Sequence, residues 1–358
     1  MVKPISLRLE DAEVSKARPC VYVYRAATAT LHSFITGATP SNSARALFGH
    51  DPITETILRA ATGPAEISGT PGWASSLAGI AVHDMIHSIT SLSAAAELIG
   101  RGLELNMDQV AEYRIPGRIL NAAAAGQWIG EGLAAPVRGL TFANDAILRP
   151  RKLQVLTTYS RELAEHTNIE AIVRQTLGEA TGLALDLQMF SSDLGGSIKP
   201  PGLFANVTAL TATTGGGTNA MVADISNLFQ ALAANAGGKT AVVVAALPQA
   251  VKLKAALGPK WDYDIIASTS LETGIVAAIE VASLVSGFGS IAEFSISKVG
   301  TIHSEDTLPV DVTGGVPSPA VPVKSLMQTD VIGLKTNLWA SWGLRHAGHA
   351  AWLQGATW

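Results

Sequence analysis

The sequence contains a single cysteine, Cys20. No disulfide can form within the chain, so burial and hydrogen bonding must hold the fold, and a lone thiol fits a reducing compartment. Charge is also scarce: 15% of residues are Asp, Glu, Lys or Arg and 47% are hydrophobic. Mean hydropathy is +0.28. Long apolar runs are nonetheless missing. The longest candidate, Gly274 to Phe288, is interrupted by Glu280 and falls short of the roughly 18 to 20 residues that a membrane span needs. The opening Met1-Val-Lys-Pro-Ile-Ser-Leu-Arg-Leu-Glu-Asp has no apolar stretch of the kind a secretory signal requires. A net charge of -4 and no cluster of Lys and Arg interleaved with aromatics argue against specific nucleic-acid recognition, though not against loose contact. There is no Gly-x-Ser-x-Gly elbow, and Cys20 has no catalytic context. So apolar a chain without a membrane span is expected to bury surface against neighbours, because obligate interfaces resemble cores cut in half.

The 358 residues suit one elaborated domain or two to three subdomains. Residues 1 to about 66 alternate short apolar patches with Ala, Thr and Ser and suggest an extended arm containing one helix, Ser43 to Ala61. A polar, Gly-rich run, Gly126 to Gly139, is unsuited to a core and suggests the outreaching part of a hairpin from Trp128 to Tyr159. In its return limb Leu153, Val155, Thr157 and Tyr159 alternate as a half-exposed strand should. A long helix follows, Thr167 to Phe190, with Ile169, Ile172, Val173, Leu177, Ala180, Ala184 and Leu187 as its apolar stripe. Thr167-Asn-Ile-Glu170 opens it as a capping box, and Glu170 with Arg174 forms an i,i+4 pair. At ~1.5 Å per residue it is about 35 Å long, a spine more than a filler.

Beyond Pro200-Pro201-Gly202-Leu203 the pattern turns α/β. Met221, Ile225, Leu228 and Leu232 mark a helix, Thr240 to Leu247 a buried strand, and Pro248 to Leu257 a helix opened by proline. Asp264 to Ser270 and Gly274 to Ser283 suggest further strands. A Pro/Gly-rich loop precedes a closing strand through Ile332, Leu334, Leu338, Ala340 and Trp342.

Few motifs point to chemistry. Ala233-Ala-Asn-Ala-Gly-Gly238-Lys239-Thr240 has the relaxed spacing of a phosphate-binding P-loop. Such a loop needs a strand before it and a helix after it; here the order is reversed, which makes Gly237-Gly238 a helix C-cap and turn. His83-Asp-Met-Ile-His87 approaches the zinc-hydrolase pattern, but Asp replaces the usual Glu and no third ligand follows at a familiar spacing. His346 and His349, beside Arg345, suit a surface or interface better than a metal. Asp262, Asp264 and Glu272 have nothing to fix a carboxylate separation. Trp339, Trp342, Trp352 and Trp358 are expected in core and interface packing. No catalytic, cofactor-binding or metal-binding residue is assigned. A nucleotide- or metal-dependent enzyme built on Gly238-Lys239-Thr240 or His83/His87 is the rival from another class.

The order of the remaining parts resembles the major capsid proteins of tailed phages, the HK97-like fold family. The residues carrying the resemblance are Glu131-Gly132 with Pro136, Leu140-Thr-Phe142, Lys152-Leu153, Ser160-Arg-Glu-Leu163, the spine helix, Pro201-Gly-Leu203, Trp342 to Arg345 and Ala356 to Trp358. The resemblance implies an α+β fold. Residues 1–100 would be an N-terminal arm and lead-in. Residues 101–205 would be part of a peripheral domain, with an extended E-loop at about 118–158 and the spine helix at about 167–190. An axial α/β domain at 206–325 and a C-terminal strand at 326–358 returning to the peripheral domain complete the plan. It further implies self-assembly into hexamers and pentamers of an icosahedral head, with portal and decoration or scaffolding partners, packaged double-stranded DNA held non-specifically, and no membrane. Trp128, Glu131, Arg138, Arg149 and Lys152 would make the inter-subunit contacts of the loop. Some relatives cross-link through a Lys just beyond the Phe142 position; Ala143-Asn144 stands here, so the loop is expected to hold without a covalent bond. An encapsulin-like compartment enclosing a cargo enzyme shares the fold and is the alternative.

Overall fold

The computed structural model describes residues 20–60, 85–108, 110–118, 129, 142–162, 169–235, 237–258, 261–289, 293–303, 323–346 and 348–358. They fall into two compact units, one drawn from residues 1–85, 154–177 and 290–338, the other from 86–153, 178–289 and 339–358.

The first unit begins with three helices where an extended arm was expected: α1 (Cys20–Thr36), α2 (Pro40–Phe48) and α3 (Pro52–Ala60). Alanines let α1 sit in the middle, with Tyr24, Ala26, Ala27, Ala29 and Leu31 all buried. The single helix expected at Ser43 to Ala61 is broken in two. Gly49 takes φ +72, a conformation costly for any residue with a Cβ. Pro52 cannot donate into a preceding turn but suits the first position of a new one. Thr39 caps α2 through its side chain, and Asp51 caps α3, accepting from Ile53 N at 3.2 Å and Thr54 Oγ1 at 2.8 Å. Arg25 pairs with Asp51 at 3.0 Å, and Arg45 holds Glu55 with two bonds of 2.7 and 3.1 Å.

The same unit takes most of β4 (Arg151–Ser160), the first part of the spine helix α5 (Ile169–Met189), β10 (Glu293–Ser297) and the first part of β13 (Val331–Leu344). Burial alternates along β4 as predicted. Gln154 Nε2 donates to Asn337 Oδ1 at 2.7 Å and Arg161 N to Asp330 O at 3.2 Å. β10 runs antiparallel to β13, from Glu293 opposite Asn337 to Ser297 opposite Gly333. A ribbon of β11 (Thr301–His303) and β12 (Val323–Ser325) completes the set.

The second unit holds the α/β part. Its five-stranded sheet has the order β5 (Leu210–Thr211), β14 (Ala350–Gln354), β8 (Val276–Glu280), β6 (Ala241–Ala246), β7 (Ile265–Ser268). β6 and β8 are buried along their whole lengths, which fits their apolar sequences, interrupted only by Glu280 at the end of β8. Helix α6 (Gly217–Ala233) buries the predicted Met221, Ile225, Leu228 and Leu232, and α7 (Leu247–Leu257) buries Ala250 and Leu253. The closing strand expected through Ile332 to Trp342 is β13, which pairs antiparallel with β9 (Leu284–Phe288); the span 326–358 holds a second strand, β14, which pairs with β8. β1 (Leu103–Asn106) pairs parallel with β9.

Three of the four C-terminal tryptophans pack as expected, each indole with a named acceptor. Trp342 donates to Pro201 O at 3.0 Å, Trp352 to Val207 O at 3.0 Å, and Trp358 to the buried Asp224 at 2.6 Å. Trp352 also stacks on Phe204 at 5.2 Å. Trp339 is the more exposed of the four.

Candidate functional site

The P-loop-like segment is a turn held from inside the chain. α6 precedes it and β6 follows. Gly238, at φ +106, and Thr240 present their backbone N–H groups to the buried carboxylate of Glu280 on β8, and the Thr240 hydroxyl donates to it as well. Donors that would converge on phosphate in a P-loop therefore converge on a side chain of the same protein.

The other candidates separate in the same way. His87 pairs with Glu104 at 3.0 Å, while His83 lies outside the described residues. No group of three or more His, Cys, Asp or Glu placed to hold a metal ion occurs among the described residues. Asp262 and Asp264 line an open cleft of about 480 Å³ with Arg101, Lys239 and Tyr263, but Arg101 pairs with Asp264 and with Glu97 at 2.8 Å. Glu272 is exposed. His349, expected at a surface or interface, is only 5% exposed within the subunit, and its ring packs beside Gly237.

The loop is framed by strands that the sequence did not pair. β3 (Phe142–Leu148) returns antiparallel against β2 (Tyr113–Arg118), from Phe142 opposite Arg118 to Leu148 opposite Tyr113. The register shifts between Ile115 and Gly117, where Pro116 has no N–H for the ladder. The ribbon thus begins before Trp128, and β4 is a separate strand rather than the hairpin's return limb. Residues 119–141 lie between the two strands. Of the predicted contact residues, Trp128, Glu131 and Arg138 lie outside the described residues.

Arg149 and Lys152 are exposed beyond the end of this ribbon. Arg149 bonds Glu112 at 2.7 Å and Arg114 bonds it at 2.5 Å. These two guanidinium hydrogen bonds hold the Glu112 carboxyl below its ordinary value. Lys152 edges a groove of about 210 Å³ together with Arg151, Leu153, Gln188, Ile198 and Trp342. Beside it the outer face of α5 leaves Leu183 and Leu187 exposed, and Ile198 is 82% exposed. Leu187 was expected in the buried stripe. Over the second half of α5 the buried positions are Thr181, Gly182, Leu185, Asp186 and Met189 instead.

Asp186 is the main residue the sequence did not single out. Its carboxylate accepts from Ala95 N at 2.8 Å, Ala94 N at 3.2 Å, and the hydroxyls of Ser93 and Ser268 at 2.5 and 3.1 Å. It caps α4 (Ala94–Ile99) together with Ser93. Gly182, one turn earlier, permits the approach: a Cβ there would lie 3.1 Å from Ser93 Cβ. The available signal was an acid beside an apolar helical stripe, one turn from a glycine.

This arrangement of ribbon, spine helix and α/β sheet is matched elsewhere. Residues 86–254 match the model of the Phage capsid family. That stretch, a little under half of the chain, is similar to the phage capsid family. Three solved structures share the fold. One from Mycobacterium phage Adephagia has a TM-score of 0.51 at 12% identity, covering 72% of this chain and 89% of that one. One from Mycobacterium phage Cain has 0.50 at 12%, covering 72% and 88%. One from Mycobacterium phage Bobi has 0.50 at 15%, covering 72% and 89%. No curated protein matches the chain. The mixed helix-and-sheet fold expected from the capsid resemblance is the fold found. No helix among the described residues is long and apolar enough to cross a membrane.

Proposed function

We propose that this chain is the major capsid protein of a tailed phage, assembling into the hexamers and pentamers of an icosahedral head around double-stranded DNA. The observation that carries the proposal is the capsid-family match over residues 86–254, a stretch that contains the β2–β3 ribbon and the spine helix. Physical chemistry supports it. The chain is poor in charge, and α5 and the loop after it leave Leu183, Leu187, Leu194 and Ile198 uncovered, as a surface intended for a neighbouring copy would. The family model is one of phage capsids, so the cargo compartment is not favoured.

In this reading residues 119–141 reach across a neighbouring subunit. Trp128 is the apolar anchor, and Glu131, Arg138, Arg149 and Lys152 are the polar contacts, with Arg149 exchanging or sharing its bond to Glu112. The α/β sheet with α6 and α7 forms the axial part, and the ribbon with the spine helix the peripheral part. Portal, decoration or scaffolding proteins and loosely held DNA are the further partners, and assembly takes place in the host cytoplasm. Negative-stain microscopy of the purified protein tests the proposal: uniform hollow particles support it, and a monodisperse small oligomer sinks it.

A further inference from the structure

The protein carries a second two-stranded ribbon, β11 with β12, that the assembly described above leaves without a role. Among the described residues these strands pair only with each other, from Thr301 opposite Ser325 to His303 opposite Val323. A lone ribbon of this kind is at best marginally stable in water. At its base Val299 and Met327 are 77% and 79% exposed. The connection it carries, residues 304–322, is far longer than the roughly two to five residues of an ordinary hairpin loop, and connections of that length are uncommon unless they serve a function. Its sequence opens Ser304-Glu-Asp-Thr-Leu-Pro-Val-Asp-Val312 and contains three acids and no Lys or Arg. Leu308 and Val310 stand between Asp306 and Asp311. Residues 119–141, by contrast, balance Glu131 with Arg138.

The groove beside the spine helix has the opposite character. It lies wholly within the second unit and holds about 210 Å³, below the roughly 300 Å³ at which small-molecule pockets begin and suited to inserted side chains. Leu153, Leu185, Pro200 and Trp342 give it an apolar lining, and Ile198 at its mouth is 82% exposed. Trp342 donates to Pro201 O at 3.0 Å and Gln188 to Pro200 O at 2.8 Å, so the walls are fixed before anything enters. The charged residues of the lining are Arg151 and Lys152 on β4 and Lys199 after α5, with no Asp or Glu. Arg151 donates to Ser197 O at 2.5 Å, and Lys199 pairs with Asp193. Lys152 is exposed and has no ion-pair partner among the described residues.

We propose that residues 304–322 of one copy dock in this groove of a second copy, with Leu308 and Val310 against the apolar lining and Asp306 and Asp311 toward Arg151 and Lys152. The docking rests on the reading of the chain as a self-assembling subunit, and it gives Lys152 its partner across the interface. Apolar contact supplies the affinity and charge sets the register, because an ion pair at a rim contributes little net energy whereas a like-charged neighbour there is costly. Pro309 has one backbone angle already fixed, which lowers the entropy lost when the segment docks.

Disulfide trapping between full chains, each also carrying Cys20→Ala, tests it. An Ile198→Cys chain mixed with a Leu308→Cys chain under mild oxidation should give linked dimer about tenfold faster than a Val251→Cys chain mixed with the same partner; Val251 is 58% exposed on α7, away from the groove lining. Adding Lys152→Glu to the Ile198→Cys chain should slow trapping about tenfold, and adding Asp306→Lys with Asp311→Lys to its partner should restore it. Equal rates at positions 198 and 251, or a rate unmoved by Lys152→Glu, overturns the docking. So does faster trapping of Ile198→Cys by Trp128→Cys than by Leu308→Cys, which would put residues 119–141 in the groove instead. Hollow particles with equal rates at 198 and 251 sink the docking alone, whereas fast trapping within a small oligomer upholds the docking and sinks the capsid reading.

Discussion

The Asp186 carboxylate accepts the Ser93 hydroxyl at 2.5 Å across 93 positions of sequence. The bond places the start of the short helix α4 against the second half of the spine helix, and Ser268 at the end of β7 joins the same carboxylate. Three elements distant in sequence meet on one side chain, and both of its oxygens are used.

Removing that side chain leaves two buried N–H groups and two hydroxyls without their acceptor. Asp186→Ala is expected to destabilise the chain by about 3 kcal/mol, since each orphaned buried donor costs roughly 1 to 3 and the local structure relaxes in part. Asp186→Asn retains one acceptor oxygen and should cost less. The urea midpoint reports this; an Asp186→Ala midpoint within about 0.5 kcal/mol of the parent would show that the cluster contributes little.

The Gly-Gly and Pro-Pro-Gly segments after the spine helix make a sharper comparison. A Cβ on Gly202 would lie 2.0 Å from Ser191 O, and one on Gly195, already at φ +68, would lie 2.5 Å from Pro201 N. Gly196 has open space around the same position. Gly202→Ala and Gly195→Ala should therefore give little soluble folded protein, whereas Gly196→Ala should express and melt like the parent. Comparable yields and melting temperatures for all three would refute the close packing of this segment.

Glu280 offers a chemical test of the inverted P-loop. Glu280→Gln replaces one acceptor oxygen with a donor that faces the Gly238–Thr240 turn, at an expected cost of about 2 kcal/mol. The unaltered chain should show no nucleotide binding by titration calorimetry. Binding of ATP with a Kd below about 1 mM would contradict the assignment of those N–H groups to Glu280.

Trp128→Ala should impair assembly while leaving the subunit folded, because an anchoring aromatic at an interface typically contributes about 2 kcal/mol or more. Sedimentation and circular dichroism separate the two effects. Particles of normal size and yield from the variant would count against residues 119–141 as the inter-subunit arm.

Much of the local structure was legible along the chain. The alternation in β4, the apolar stripe of α6 and the proline-opened α7 each follow from side chains that repeat at the period of their own element. Pairing was less legible. Nothing within residues 142–148 states that their partner is 113–118 rather than 151–160, since both neighbours offer compatible strand-like sequence and the choice depends on where the chain turns. The arm at residues 20–60 was misread because its Ala, Thr and Ser suit either an extended chain or a tightly packed helix, and only the burial of α1 against α2 and α3 separates the two. For the contact residues, Arg149 was named from its place after the loop, but its partner Glu112 lies across the ribbon and carries no local signal.

By itself, the sequence determined the element types of β4, the spine helix and the α/β part, the reversal of strand and helix around Gly238-Lys239-Thr240, the absence of an internal disulfide and the resemblance to phage capsids, because propensity, periodicity and motif order are properties of neighbours along the chain. Tertiary structure alone decided that Asp186, Glu280 and Asp224 would serve as buried acceptors, that Leu187 would face outward, and that His349 would be enclosed. Each depends on which distant donor or surface arrives at that position, and a buried carboxylate is tolerable only once its hydrogen-bond partners are assembled around it.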